Sequence, residues 1–300
     1  MKKTAVSLLT ALALLSACDP ETQSTPDVAE SLDQAAVETP KLSNEVLRDL
    51  LQSIPSPLET SMLIKESGAQ YEKGYLNSVD NKSNYNTNAR KALNLGIYGA
   101  DLGYTNLYSR SQDGIYYMNA VRDMAEGLQI GQFFDFELIR RLATNTTNLD
   151  SLLLITTQNF QQINTHLQDQ NRTNLSVLIL AGGWLEAQHL MNQVVQDHPD
   201  QEALKERIGE QKIVLERIML VLDSYSQDPS IGPLAADMKQ LKGIFDEVEI
   251  VHTYEESVME EVDGIMMMVD KSTSTVYITS EQLERIAKTT EQIRNKIIES

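Results

Sequence analysis

Cysteine is almost absent from this chain: Cys18 is the single one among 300 residues. One cysteine cannot build an internal disulfide framework, so stability has to come from a packed core. Long apolar runs are missing as well. The stretch Ala5 to Leu15, broken by Ser7 and Thr10, is shorter than the ~20 residues a helix needs to cross a bilayer, so no permanent transmembrane anchor is expected there. Basic residues are scarce, with 25 Lys and Arg against 43 Asp and Glu, a formal charge of -18. Such a surface repels phosphate backbones and anionic headgroups, which removes nucleic acid from the partner classes. The usual catalytic signatures are missing too: no GxxxxGK[ST] phosphate loop, no GxSxG elbow, no HExxH zinc helix and no GxGxxG fingerprint. No cofactor is expected.

At the N-terminus, Lys2 and Lys3 precede the apolar stretch, and the small residues Ser16 and Ala17 follow it. This is the layout of a secretory signal peptide. The segment Leu15-Ser16-Ala17-Cys18 resembles the bacterial lipobox, and that resemblance implies a lipid on Cys18, which becomes the first mature residue. It also implies two or three acyl chains, whereas a single chain gives only reversible binding. The expected organisation is therefore a signal peptide over 1–17, a lipidated acidic tether over 18–41 and a helical bundle over 42–300. Removing Lys2 and Lys3 with the leader takes the formal charge from -18 to -20.

The tether sequence, DPETQSTPDVAESLDQAAVETPK, has three prolines, one lysine and no aromatic residue. It lacks the apolar surface that would offset its ordering entropy. As a flexible coil it reaches roughly 25–30 Å, enough to hold a folded body clear of a membrane. Asp19 resembles the inner-membrane retention signal of enteric bacteria, a rule that differs between lineages.

Beyond residue 42 helix signals dominate. Ser56-Pro57-Leu58-Glu59 offers a capping box, and Ala89, Leu93, Ile97, Ala100 and Tyr104 fall at helical spacing within 86–109. Asp113-Gly114 reads as a break before a helix over 115–130. Further helices are expected over 133–144, 147–168, 174–196, 200–224, 234–258 and 280–298. The only plausible strands lie in GIMMMVDKSTSTVYIT, as a short hairpin before the cap at Thr279 and Ser280. The fold class is thus all-α, a bundle of about eight helices with a small β-hairpin before the last one.

Asn94-Leu95, Gly103 and Tyr104 recur 80 residues later as Asn174-Leu175, Gly183 and Trp184, through duplication of a helical hairpin or through two helices with the same packing need. Gly96, Gly99 and Gly103 share one helix face, where close packing would compensate their low helix propensity. The segments NLGIYGADLGYTNLY and STSTVYITSEQLERI resemble stretches of uncharacterised helical lipoproteins of Bacteroidota. That resemblance implies a fold and an envelope address, and no catalytic residue.

One constellation carries chemistry. Glu186-x-x-His189 and Glu249-x-x-His252 are both Glu-x-x-His, the pattern that, with further carboxylates from two other helices, holds the metals of ferritin-like bundles. On a helix, residues at i and i+3 project from neighbouring positions, so both can reach one metal. Glu216 is a candidate bridging carboxylate and Glu137 a poorer one. Helical geometry argues against convergence: Glu186 lies about 200° from Trp184 and so off the apolar face, while His252 continues the stripe of Leu241, Phe245 and Val248. Glu255, Glu256, Glu260, Glu261 and Asp263 read as a solvated helix face rather than a hard-cation site. Met266-Met267-Met268 reads as an adaptable apolar contact, made with the body of the bundle or with a partner; packing into the body is the expectation. The function expected is a lipid-anchored envelope protein that binds or scaffolds a partner protein. The alternatives are a metal-dependent enzyme using the two Glu-x-x-His pairs and a small-ligand carrier.

Overall fold

A computed structural model describes residues 44–52, 54, 57–143, 149–262, 265–269 and 271–299. Cys18, the leader and the tether lie outside the described residues. Ten α-helices are present among them: α1 (Asn44–Gln52), α2 (Pro57–Glu66), α3 (Asn88–Leu107), α4 (Ser111–Gly127), α5 (Phe136–Ala143), α6 (Leu149–Asp169), α7 (Thr173–Asp197), α8 (Glu202–Ser224), α9 (Gly232–Phe245) and α10 (Ser280–Ile298). Four short strands, β1 (Glu249–Thr253), β2 (Val258–Val262), β3 (Ile265–Val269) and β4 (Thr273–Tyr277), separate the last two helices. The protein is an all-α multi-helix bundle with one small β element near its C-terminus.

Local chemistry sets the boundaries. Thr87 accepts from the Arg90 N–H to open α3, and Thr279 and Gln282 form a full capping box at α10. Asp113 and Gly114 lie inside the first turn of α4 rather than breaking the chain. A Cβ at Gly114 would come within 3.1 Å of Asn106 Oδ1, so the Asn106 side chain would have to shift to admit it.

The centre of the bundle is α7, buried nearly all round from Thr173 to Val195. A helix without a polar face belongs inside. Its main neighbour is α3, and the two meet backbone to backbone. A Cβ on Gly96 would lie 2.0 Å from the Ile179 carbonyl oxygen, and one on Gly182 would lie 2.1 Å from that of Leu93. Gly96 thus packs as the sequence suggests, whereas Gly99 is exposed with nothing within 4 Å of its missing Cβ. Leu93 meets Gly182, Gly96 meets Gly183 and Asp101 meets Glu186, so α3 and α7 run in the same direction.

Tyrosines of α3, its C-terminal end and α4 fasten the segment between α2 and α3 onto the bundle. Tyr108 donates to the Ala69 carbonyl at 2.7 Å, Tyr98 to that of Ser78 at 2.9 Å and Tyr117 to that of Asn77 at 2.9 Å, while Tyr104 accepts from the Glu72 N–H at 3.1 Å. Each buried ring thereby adds apolar area and satisfies a loop backbone group with its hydroxyl.

The β element differs from the expected hairpin. Helix α9 stops at Phe245, and 249–253 is extended, so residues read as a continuing helix form β1. Ile250, Val251 and Thr253 are β-branched, which favours strand there. β1 pairs antiparallel with β4 and β2 with β3, so the four strands form one nested ribbon. Thr253 pairs with Thr273 and Val258 with Val269, leaving four residues on one side of the junction against three on the other.

Candidate functional site

Four ionisable side chains from three helices converge in the interior: Asp101 of α3, Glu186 and His189 of α7, and Arg294 of α10. None is more than 6% exposed. Arg294 Nε and Nη2 donate to the two Glu186 carboxylate oxygens at 2.5 and 2.7 Å, a bidentate pair. Nη2 also donates to the Tyr75 carbonyl at 3.1 Å, and His189 Nε2 lies 3.1 Å from the same oxygen. A carbonyl only accepts, so Nε2 carries the His189 proton. Burial, reinforced by the Arg294 charge and opposed by Glu186, pushes His189 down to about 4, which leaves the ring neutral at pH 7.

The two carboxyl groups separate in charge. Burial alone would raise Glu186, but the charge and two N–H donors of Arg294, with smaller help from His189 and Asp101, hold it below the usual range. Burial and then the Glu186 charge push Asp101 well above its ordinary value, against the pull of Arg294. Asp101 Oδ2 accepts the Asn77 N–H at 3.3 Å, while Oδ1 finds no N–H donor. The Asp101 and Glu186 carboxyl groups act on each other, each among the causes of the other's shift. Asp101, the one that is raised, is the member that favours its protonated form. The Glu186 and Arg294 charges offset each other.

A polar shell completes the arrangement. Asn77 Nδ2 donates to the Tyr85 hydroxyl at 3.1 Å and to Asn94 Oδ1 at 3.4 Å, and the Tyr85 hydroxyl donates to the Ile298 carbonyl at 3.1 Å. The shell joins α3, α10 and the segment between α2 and α3. An open polar depression lined by Asn88, Gly127, Gln129, Gln170 and Arg172 contains none of the four central residues. With every member sealed from solvent, the cluster locks helices in register.

The two Glu-x-x-His pairs have separate fates. Glu186 and His189 sit together, but one carboxylate is taken by Arg294 and the imidazole by the Tyr75 carbonyl. Glu249 and His252 lie exposed on β1, where i and i+3 point to opposite faces of a strand. His252 Nδ1 instead lies 2.8 Å from the Ser274 hydroxyl on β4. Glu137 pairs with Arg140 on the surface of α5, and Glu216 is exposed on α8. Among the described residues, no group of three or more His, Cys, Asp or Glu side chains is placed to hold a metal. The expectation that Glu186 is off the buried face is corrected as well, because α7 has no exposed face at its level.

The second feature is the ribbon, whose root and tip differ. At the root, Val248 and Val276 are buried, and Gly209 of α8 lets the ribbon in: a Cβ there would sit 2.4 Å from Val276 Cγ1. Lys212 donates to the Val248 carbonyl at 2.7 Å, Gln282 to that of Glu247 at 2.9 Å, and Arg285 holds the Glu247 carboxylate with two bonds. At the tip, β2 and β3 make their principal contacts only with each other. Met259, Met266, Met267 and Met268 are exposed there, Met268 to 72%, and Tyr254 at the junction is 85% exposed. The methionines are therefore not packed into the body. Glu255 and Glu256 are exposed beside them on irregular backbone rather than on a helix face.

Comparison with known proteins yields no match to this chain from any protein-family model, curated protein or solved structure.

Proposed function

We propose that the chain is a lipid-anchored cell-envelope protein that binds or scaffolds another protein, held to its membrane through Cys18, spaced from it by the acidic tether and engaging its partner through the methionine-rich ribbon. The observation that carries this reading is the exposure of Met259, Met266, Met267 and Met268 on a hairpin whose principal contacts are between its own two strands. An isolated two-stranded hairpin is marginal in water, and clustered exposed apolar side chains mark interaction sites. Methionine suits such a surface because its flexible thioether adapts to its neighbour. The lipobox supports the anchor, and the absence of a catalytic signature supports binding over turnover.

The experiment is photo-crosslinking in intact cells. A photoreactive residue replaces Met268 in one full-length chain and Leu220, exposed on α8, in a control. The ribbon position is expected to give a discrete protein adduct that the control lacks; identical adducts from both positions would remove the ribbon from the function. Mass spectrometry of the mature N-terminus checks the anchor, which an unmodified Cys18 thiol would refute.

A further inference from the structure

We infer that the ribbon's partner is a protein strand in which apolar residues alternate with lysine or arginine, and that it adds to an outer edge of the β2–β3 pair. This rests on the reading of the ribbon as a docking element and names the chemistry that fits it.

The first argument is the edge. Among the described residues β2 and β3 form a two-stranded sheet, so both outer edges carry backbone N–H and C=O groups with no strand to pair with. Proteins blunt such edges with proline, charged side chains and short strands. Residues 249–277 contain no proline and one lysine, Lys271, so the charge that guards these short edges is nearly all negative. An edge guarded by one sign of charge still accepts a strand of the opposite sign, in which main-chain bonds give affinity and alternate side chains give specificity.

The second argument is the apolar pattern. Pairing sets Met259 opposite Met268 and Val258 opposite Val269. Side chains alternate between faces, so Met259, Met266 and Met268 share one face while Val258, Met267 and Val269 share the other. An added strand extends both faces at once. Its apolar residues continue a methionine or valine face and leave water with it.

Charge decides between occupants. Residues 249–277 carry seven carboxylates and one lysine, and Glu249, Glu255 and Glu256 are exposed. A second copy of the chain would bring the same excess of negative charge against itself. An anionic membrane surface is repelled in the same way, and insertion into hydrocarbon would carry neighbouring carboxylates with it at a large cost in free energy. Cationic side chains on the added strand turn that repulsion into attraction and steer the encounter.

The test uses the lipidated chain in neutral detergent and two dye-labelled peptides, one alternating valine with lysine and one alternating valine with glutamate. Binding of the lysine peptide is expected, weakening as salt rises, and the amides it protects from hydrogen exchange are expected in β2 and β3. Changing Met266, Met267 and Met268 together to serine keeps the charge, and is expected to weaken binding about tenfold or more. Unchanged binding by that variant, equal binding of the glutamate peptide, protection outside the ribbon or no binding of either peptide would each overturn the inference. Should the peptides fail while Met268 still crosslinks to one protein in cells, the docking function stands and this partner chemistry does not; loss of the crosslink removes both.

Discussion

Asp101→Asn exchanges a carboxyl whose raised pKa favours its protonated form for an amide of nearly the same shape. An asparagine Nδ2–H can present a donor where the protonated carboxyl would present its own. The folded-state pKa of Asp101 is raised above its unfolded value of 3.8, so the native state keeps a proton that the unfolded chain releases. Its contribution is complete below pH 3.8 and declines as pH rises towards the folded-state value. Across that window stability falls by up to about 1.4 kcal/mol per pH unit. Glu186 has the opposite sign: its depressed folded-state value gives stability that is present above the ordinary 4.5 and lost in acid. That contribution is common to both proteins and cancels in the comparison.

Asparagine has no proton to release in either state. The variant's stability relative to the parent is therefore expected to climb from about pH 4 upwards, by up to about 1.4 kcal/mol per pH unit, and then to level off. Urea denaturation of both proteins at closely spaced pH values between 4 and 8 measures the difference directly. If Asp101 were instead ionised in the native state it would be a second counter-ion for Arg294. The asparagine variant would then be the less stable protein at pH 7, and the gap would not narrow with rising pH. That result would refute the proton assignment. Asp101→Ala is the control, expected to lose about 1–3 kcal/mol because the buried Asn77 N–H is left without an acceptor.

Arg294→Met leaves Glu186 buried without its counter-ion and is expected to destabilise by about 3–5 kcal/mol at pH 7, with part of the loss regained at acid pH as Glu186 takes up a proton; denaturant midpoints at pH 7 and pH 5 check both statements. Gly96→Ala and Gly182→Ala place a Cβ about 2 Å from a backbone carbonyl oxygen, so each is expected to lower the melting temperature by the equivalent of 1–3 kcal/mol or more. Gly99→Ala, on the same helix with open space, is expected to raise it by up to about 1 kcal/mol. Gly209→Ala drives a methyl group into Val276 and is expected to speed hydrogen exchange in β1 and β4 while the α3–α7 amides keep their protection; equal acceleration in both places would show that the ribbon root and the bundle core open as one unit.

The helices were legible because their signals are local. Apolar spacing marks α3, and the cap at Thr279 needs only a few residues of context. The burial of α7 on all sides was not legible: Glu186 looks like a surface residue until Arg294, 108 positions later, supplies its partner. A signal did exist. Ile286, Thr290, Ile293 and Ile297 form the buried face of α10, and Arg294 sits among them, a charge where an apolar residue is expected. Asp101 sits in the same way between Ala100 and Leu102 on a helix buried on most sides. A charge embedded in an apolar stripe asks for an opposite charge from another element, but sequence does not say which one. The misread of 249–253 has a different cause. Leu241, Phe245 and Val248 fit helical spacing through the end of α9 and three residues past it, and the β-branched residues that follow were read as its continuation.

On the proposed docking reading, root and tip of the ribbon divide the physical work. A hairpin that orders only on binding gives up about 1–2 kcal/mol of backbone entropy per residue, which would consume most of what a short apolar contact supplies. Here the root is already fixed by the buried Val248 and Val276, by the Lys212 and Gln282 bonds to ribbon carbonyls and by the Arg285–Glu247 pair. Beyond the junction at Thr253 and Thr273, the pairing of β2 with β3 is the principal contact of the exposed tip. Apolar exposure, however, begins where the clamps end, so the surface that gains from burial is the surface that has least to hold it. The buried cluster serves the same arrangement from the other side: by tying α10 to α7 through Arg294 and Glu186, it fixes the helix whose first turns carry Gln282 and Arg285. Loosening that lock should therefore weaken ribbon binding even though the lock lies among the core helices and touches no partner. Arg294→Met, assayed under conditions where it remains folded, is expected to bind the lysine peptide more weakly than the parent, while Gly99→Ala is expected to bind it equally well; unchanged binding by Arg294→Met would separate the lock from the ribbon.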